Sequence, residues 1–69
     1  MTEFKLKSEY ITLGQLIKAA NLIDSGGMIK VFLFESEITV NGELENRRGK
    51  KLYQGDFVVI NNKKYKIVW

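Results

Sequence analysis

Four cations crowd into five residues at Arg47-Arg48-Gly49-Lys50-Lys51. Like charges this close repel one another unless a polyanion or nearby acids offset them. Glu43 and Glu45, just upstream, supply part of that offset, so the segment is either a solvated loop or a contact for a phosphate-rich polymer. A second candidate is Ser25-Gly26-Gly27, followed by Lys30. Ser25 is a helix cap, while bare amides at a helix start attract phosphate and glycines allow it close approach. Lys18 and Lys30 each stand among apolar neighbours and must reach solvent, to snorkel or to meet a ligand. Phe34, one helical turn beyond Lys30, and Tyr53, beside the basic run, are expected in the core. Stacking on an unpaired base is their other use.

Other chemistries find few residues to carry them. The 69-residue chain has neither cysteine nor histidine, which excludes disulfides, thiolate or imidazole metal sites, and Cys–His or Ser–His dyads. No glycine-rich phosphate loop ending in Lys-Ser or Lys-Thr occurs, and Glu43 with Glu45 reads as the polar outer face of a strand, not as a paired acid and base. A non-catalytic protein with no cofactor, metal or small-molecule substrate is expected. The formal charge of +3 hides an asymmetry. Residues 1–45 carry four lysines against seven carboxylates, net −3, and residues 46–69 carry seven cations against Asp56 alone, net +6. That division points to a polyanionic partner. The longest apolar runs, Val31 to Phe34 and Phe57 to Ile60, are far too short to cross a bilayer, which takes about 20 residues. The N-terminus alternates apolar and charged residues, unlike a secretory signal, so a cytoplasmic protein without membrane contact is expected.

The elements that must position these residues follow from periodicity. Phe4 and Leu6 alternate with lysines, which predicts an edge strand over 3–7. Thr12-Leu13-Gly14-Gln15 has the form of a capping box, so a helix starts at Leu13. Leu13, Leu16, Ile17 and Ala20 form its apolar stripe, and Asn21 ends it. Gly14 inside that helix costs about 1 kcal/mol relative to alanine; tolerance in the first turn is the expected reason, close approach of another backbone the alternative. Asp24 or Ser25 caps a second helix, with Gly26 and Gly27 in its first turn and 28–35 as its body, Met28, Phe32 and Leu33 pointing inward. Asn41-Gly42 between alternating residues predicts a hairpin with a type I′ turn. Gln54-Gly55-Asp56 is a second turn, 57–60 a strand, Asn61-Asn62 a third turn, and Tyr65, Ile67 and Trp69 the inner face of a last strand. Lys63, Lys64 and Lys66 are expected to solubilise a sheet edge.

Ile11-Thr12-Leu13-Gly14-Gln15-Leu16-Ile17-Lys18, Asp24-Ser25-Gly26-Gly27-Met28-Ile29-Lys30, Val40-Asn41-Gly42-Glu43 and Arg47-Arg48-Gly49-Lys50-Lys51-Leu52 together resemble the RNA-binding domain named after small-subunit ribosomal protein S-four. They are most similar to the small stand-alone bacterial YaaA-like proteins. The resemblance implies an α+β fold in which a two-helix αL RNA-binding motif packs on a small, mostly antiparallel sheet. It implies a single domain over 1–69 with the motif core at about 11–60. It also implies binding to structured RNA, ribosomal RNA or ribosomal particles, in ribosome assembly or translation; a monomer is expected. The RNA-binding residues expected on both grounds are Lys18, Ser25, Gly26, Gly27, Lys30, Arg47, Arg48, Lys50 and Lys51. Two positions depart from the family pattern. Ile11-Thr12-Leu13 stands where many members have Arg-Leu-Asp, and Gly26-Gly27 where many carry an arginine. The alternative from another class is a small protein-interaction adaptor that does not bind RNA.

Overall fold

The Thr12 hydroxyl accepts the Gln15 amide at 3.3 Å, and the Gln15 side chain accepts the Thr12 amide at 2.9 Å, closing the capping box at the predicted place. The structure, a computed structural model, describes residues 1–69. The first helix, α1, spans Leu13–Ala19 and buries Leu13, Leu16 and Ile17 completely. It ends at Asn21, whose φ of 62° turns the chain out of the helix. Leu22 and Asn21 donate their amides to the Ile17 and Lys18 carbonyls, which satisfies the last turn.

The second helix, α2, spans Ile29–Glu35 and starts later than expected. Two successive glycines oppose α-helical winding, and residues Gly26–Met28 form a 3₁₀ turn instead, with the Met28 amide on the Ser25 carbonyl. Ser25 therefore closes the turn through its main chain, and its side chain caps nothing. Ile29 and Leu33, one turn apart, face the core. That leaves Met28 outside, half exposed and not buried as expected, and Phe34 fully outside at 90% exposure. A two-turn helix can turn only one narrow stripe inward, and α1 already covers the rest of the core.

Seven strands complete the fold: β1 (Thr2–Lys5), β2 (Ile11–Thr12), β3 (Ile38–Val40), β4 (Glu43–Leu44), β5 (Lys51–Leu52), β6 (Phe57–Ile60) and β7 (Lys63–Val68). Five form one sheet in the order β1-β7-β6-β3-β4, antiparallel except for the β1–β7 pair. The expected first strand is shifted toward the N-terminus and does lie at an edge. The last strand, by contrast, is interior, so Lys64 and Lys66 stand on the open face of the sheet and not along its edge. Ile38, Val40, Val58, Ile60, Tyr65 and Ile67 fill the other face, and the helices and Leu52 pack on them. Trp69 lies beyond β7 and is exposed, so the alternation that holds for Tyr65 and Ile67 stops there. The remaining strands, β2 and β5, form a separate ribbon, Ile11 opposite Leu52 and Thr12 opposite Lys51.

The β3–β4 hairpin turns through Asn41 and Gly42, at φ 52° and 87°, as the Asn-Gly pair requires. Asn41 also ties the hairpin to the neighbouring strand. Its side chain accepts the Phe57 amide at 2.9 Å and donates to Asp56 at 3.1 Å, and its own amide meets the Phe57 carbonyl at 2.7 Å. Replacing both residues by valine forces β-branched side chains into left-handed backbone and removes the side-chain bonds. The expected loss is about 3 kcal/mol, a fall in melting temperature on the order of 10–20 °C. Thermal unfolding followed by circular dichroism checks it, and an unchanged midpoint would refute the role of this turn.

Candidate nucleic-acid interface

The basic run is laid against the start of α1 by its main chain. The Leu13 amide donates to the Lys50 carbonyl at 2.8 Å and the Gly14 amide to the Arg48 carbonyl at 2.9 Å. With the Gln15 amide on Thr12, the first three donors of the helix are all occupied by the protein itself. A Cβ on Gly14 would stand 3.3 Å from both the Arg48 carbonyl oxygen and the Arg48 Cβ. Gly14 is thus a point of close backbone approach, and tolerance in a first turn is not its explanation. The helix end points its amides at two loop carbonyls and the Thr12 hydroxyl, not at solvent, and the loop side chains are left to project.

Docked this way, the loop divides two open grooves. Lys18 and Arg48 share the first, about 280 Å³, with Thr12, Gly14, Gln15, Ile29 and Gly49. The Lys18 ammonium also lies against Gly26, where it would be 3.6 Å from an added Cβ. Lys18, Gly26 and Arg48 are therefore neighbours, drawn from α1, the 3₁₀ turn and the loop. Ser25 and Gly27 adjoin them, and the amides of Gly26 and Gly27 meet no acceptor in the protein. Lys30 is exposed on α2 and lines neither groove.

Arg47, Lys50 and Lys51 line the second groove, about 340 Å³, opposite the hairpin residues Asn41, Glu43 and Glu45. Two of its acids, Glu45 and Asp56, have partners of their own, and Glu43 has none. Glu45 receives the Arg47 side chain at both carboxylate oxygens, Nε at 2.9 Å and Nη2 at 3.0 Å, and the Arg47 amide at 3.0 Å. The Glu45 side chain is only 11% exposed, the Arg47 side chain 72%. Asp56 accepts the Tyr53 amide at 2.8 Å as well as the Asn41 side chain. The guanidinium is thus held in one orientation by a bidentate pair, while Arg48, Lys50 and Lys51 make no ion pair.

Sequence reasoning missed Tyr10. Its ring lies 5.9 Å from that of Tyr53, and the Lys51 ammonium sits 4.9 Å from the Tyr10 centroid. The signal for it is the β2–β5 register, which puts residues 10 and 53 opposite each other, but two-residue strands leave no periodicity to read. Tyr53, expected in the core, is 44% exposed. No three carboxylates gather to hold a metal ion, and no helix is long and apolar enough to cross a membrane.

The Glu45–Arg47 pair makes a pH prediction. Hydrogen bonding from the Arg47 side chain lowers the Glu45 carboxyl from its usual 4.5 to about 2, against the opposing effect of burial, and Glu45 raises Arg47 in turn. A folded-state value below the unfolded one means that the pair stabilises the loop fully above about pH 4.5 and loses that contribution as pH falls toward 2. Titration of the Glu45 carboxyl by carbon NMR should give a midpoint near 2 that returns toward the usual 4.5 in Arg47→Ala. The same midpoint in both proteins would contradict the pairing.

Comparison with known proteins bears on the family. The chain is 58% identical over 55 residues to the probable ribosome maturation protein RlbA of Bacillus subtilis (strain 168), an alignment that covers 80% of this chain and 78% of that protein. The family model for the S4 domain matches residues 4–68, from the edge strand β1 to the end of β7. Cationic loop, helix pair and all of the sheet but the first two residues of β1 fall within that match, and the chain belongs to the S4 domain family.

Proposed function

We propose that this protein is a non-catalytic RNA-binding module that grips structured RNA, ribosomal RNA first of all, in ribosome assembly or translation. The observation that carries the reading is the docked loop. Main-chain bonds from Leu13 and Gly14 to the Lys50 and Arg48 carbonyls fix the path of the loop backbone, so the side chains of Arg48, Lys50 and Lys51 project from a preset frame toward phosphates, while the Arg47 guanidinium is oriented by Glu45. Lys18 extends the positive surface across the first groove, with Ser25, Gly26 and Gly27 beside it and Lys30 further along α2. A rigid surface of this kind suits RNA helices, whose shape and phosphates are more accessible than their base edges. The name of the Bacillus relative, a ribosome maturation protein, supports the choice of ribosomal RNA. Acting as a monomer in the cytoplasm is consistent with such a role. Glu45 and Asp56 are committed to hydrogen bonds, which favours binding over acid–base catalysis.

The adaptor reading draws on one observation. Phe34 and Leu44, 90% and 79% exposed, line a common groove of about 360 Å³, a surface that a protein partner would cover.

Fluorescence anisotropy with folded ribosomal RNA fragments separates the two. With roughly four to six phosphates neutralised, log affinity should fall against log salt with a slope of about −3 to −5. Replacing Arg47, Arg48, Lys50 and Lys51 by alanine should cut affinity at least tenfold, about 1.4 kcal/mol, with the circular dichroism spectrum unchanged. Lys30→Glu should weaken binding more than Lys64→Glu, the same charge change on the open face of the sheet. Absent or salt-independent binding would favour the adaptor. Equal losses from the two lysine variants would mean that binding follows the overall field and has no helix-centred site.

A further inference from the structure

We infer that Tyr53, backed by Tyr10 and Lys51, is a stacking seat for one unpaired nucleobase beside the cationic loop; this rests on the RNA reading above. The β2–β5 register continues one step outward and sets Tyr10 opposite Tyr53. The rings meet at 5.9 Å with a 50° tilt, a favourable aromatic arrangement. A pair serving only to seal the ribbon would be expected to hide its faces, yet Tyr10 remains 37% and Tyr53 44% exposed. Their roles differ. The Lys51 ammonium stands over Tyr10, and no cation stands over Tyr53, which is left with ring surface to offer.

Both tyrosines are anchored through their main chains. Ser8 donates its hydroxyl to the Tyr10 carbonyl at 3.1 Å, and the Tyr53 amide is held by Asp56. The seat is therefore formed before a ligand arrives. Tyr53 lines the same groove as Arg47, Lys50 and Lys51, so a base stacked on it keeps its own phosphate within the positive field of the loop. Any base has a π-face, so the seat selects for a nucleotide out of the stack, not for its identity. Phe34 is more exposed, but its groove holds the Glu45 carboxylate and no cation, whereas in the Tyr53 groove Arg47, Lys50 and Lys51 stand opposite Glu43, Glu45 and Asp56, and two of those three carboxylates are engaged in hydrogen bonds.

The test uses the full chain and two RNA hairpins, one fully paired and one carrying a single bulged 2-aminopurine. Wild type should bind the bulged hairpin about fivefold or more tightly than the paired one and quench its 2-aminopurine fluorescence. Tyr53→Leu should lose both the preference and the quenching while binding the paired hairpin within twofold of wild type. Tyr53→Phe should keep them, since the ring and not the hydroxyl does the stacking. Equal affinity of wild type for the two hairpins, or full preference retained in a folded Tyr53→Leu, would overturn the seat while leaving RNA binding by the loop intact. Failure to bind either hairpin would remove the RNA reading and the seat with it. Quenching in wild type is read without any variant, so poor folding of Tyr53→Leu does not blunt the test.

Discussion

Two main-chain hydrogen bonds, from Leu13 and Gly14 to the carbonyls of Lys50 and Arg48, hold the cationic loop and the first helix together. A helix leaves its first amides without partners inside the helix, and a loop of consecutive cations lacks the packing that would fix its shape. Each supplies what the other needs. The loop carbonyls satisfy the helix, and the helix gives the loop one conformation. Glycine at position 14 is the condition for this, because the loop backbone passes where a side chain would begin. The β2–β5 ribbon, one residue further along each segment, continues the same contact.

That arrangement separates backbone from charge. The loop is anchored by atoms that carry no formal charge, and of its four cations only Arg47 is paired with an acid. Glu45, nearly buried beneath it, fixes the direction of the guanidinium and partly offsets the local repulsion. The acidic first 45 residues thus contribute a counterweight at one place, while Lys18 crosses in the opposite sense and joins the basic side. Charge separated by sequence position, net −3 against net +6, is brought into contact where the loop folds back on α1 and faces the hairpin.

Local signals were legible where neighbouring residues decide the structure. Thr12 and Gln15 are three residues apart and announce their reciprocal bonds; Asn41-Gly42 and Asn61-Asn62 accept left-handed backbone and mark their turns. The α+β class and the mostly antiparallel sheet follow from those marks and from strand alternation. What could not be read depends on distant partners. Gly14 meets Arg48 across 34 positions, so local sequence could name close backbone approach only as the second explanation of its cost and could not name the partner. The apolar run from Met28 to Phe34 has no period that tells its inner from its outer face, which is why Met28 and Phe34 were assigned to the core. Tyr10 and Tyr53 join through two-residue strands, too short to leave a pattern. Of the candidate site, the cationic loop was plain from composition. Its contact with Lys18 and Gly26, and the clamp on Arg47, required the fold.

The parallel pairing of β1 with β7 bears on the order in which the molecule assembles. β1 is an edge strand and its ladder runs to β7 alone, so residues 2–5 have no strand partner until residues 65–68 are in place. Bringing the two segments together closes a loop of nearly the whole chain, an entropic cost of roughly 3–4 kcal/mol beyond the constant contribution. Antiparallel β3 and β4, and likewise β6 and β7, are joined by two-residue turns, and β6 reaches β3 across residues 45–56. On a growing polypeptide, the helices, hairpin and docked loop can therefore form first, and the first-made strand is the last to join the sheet.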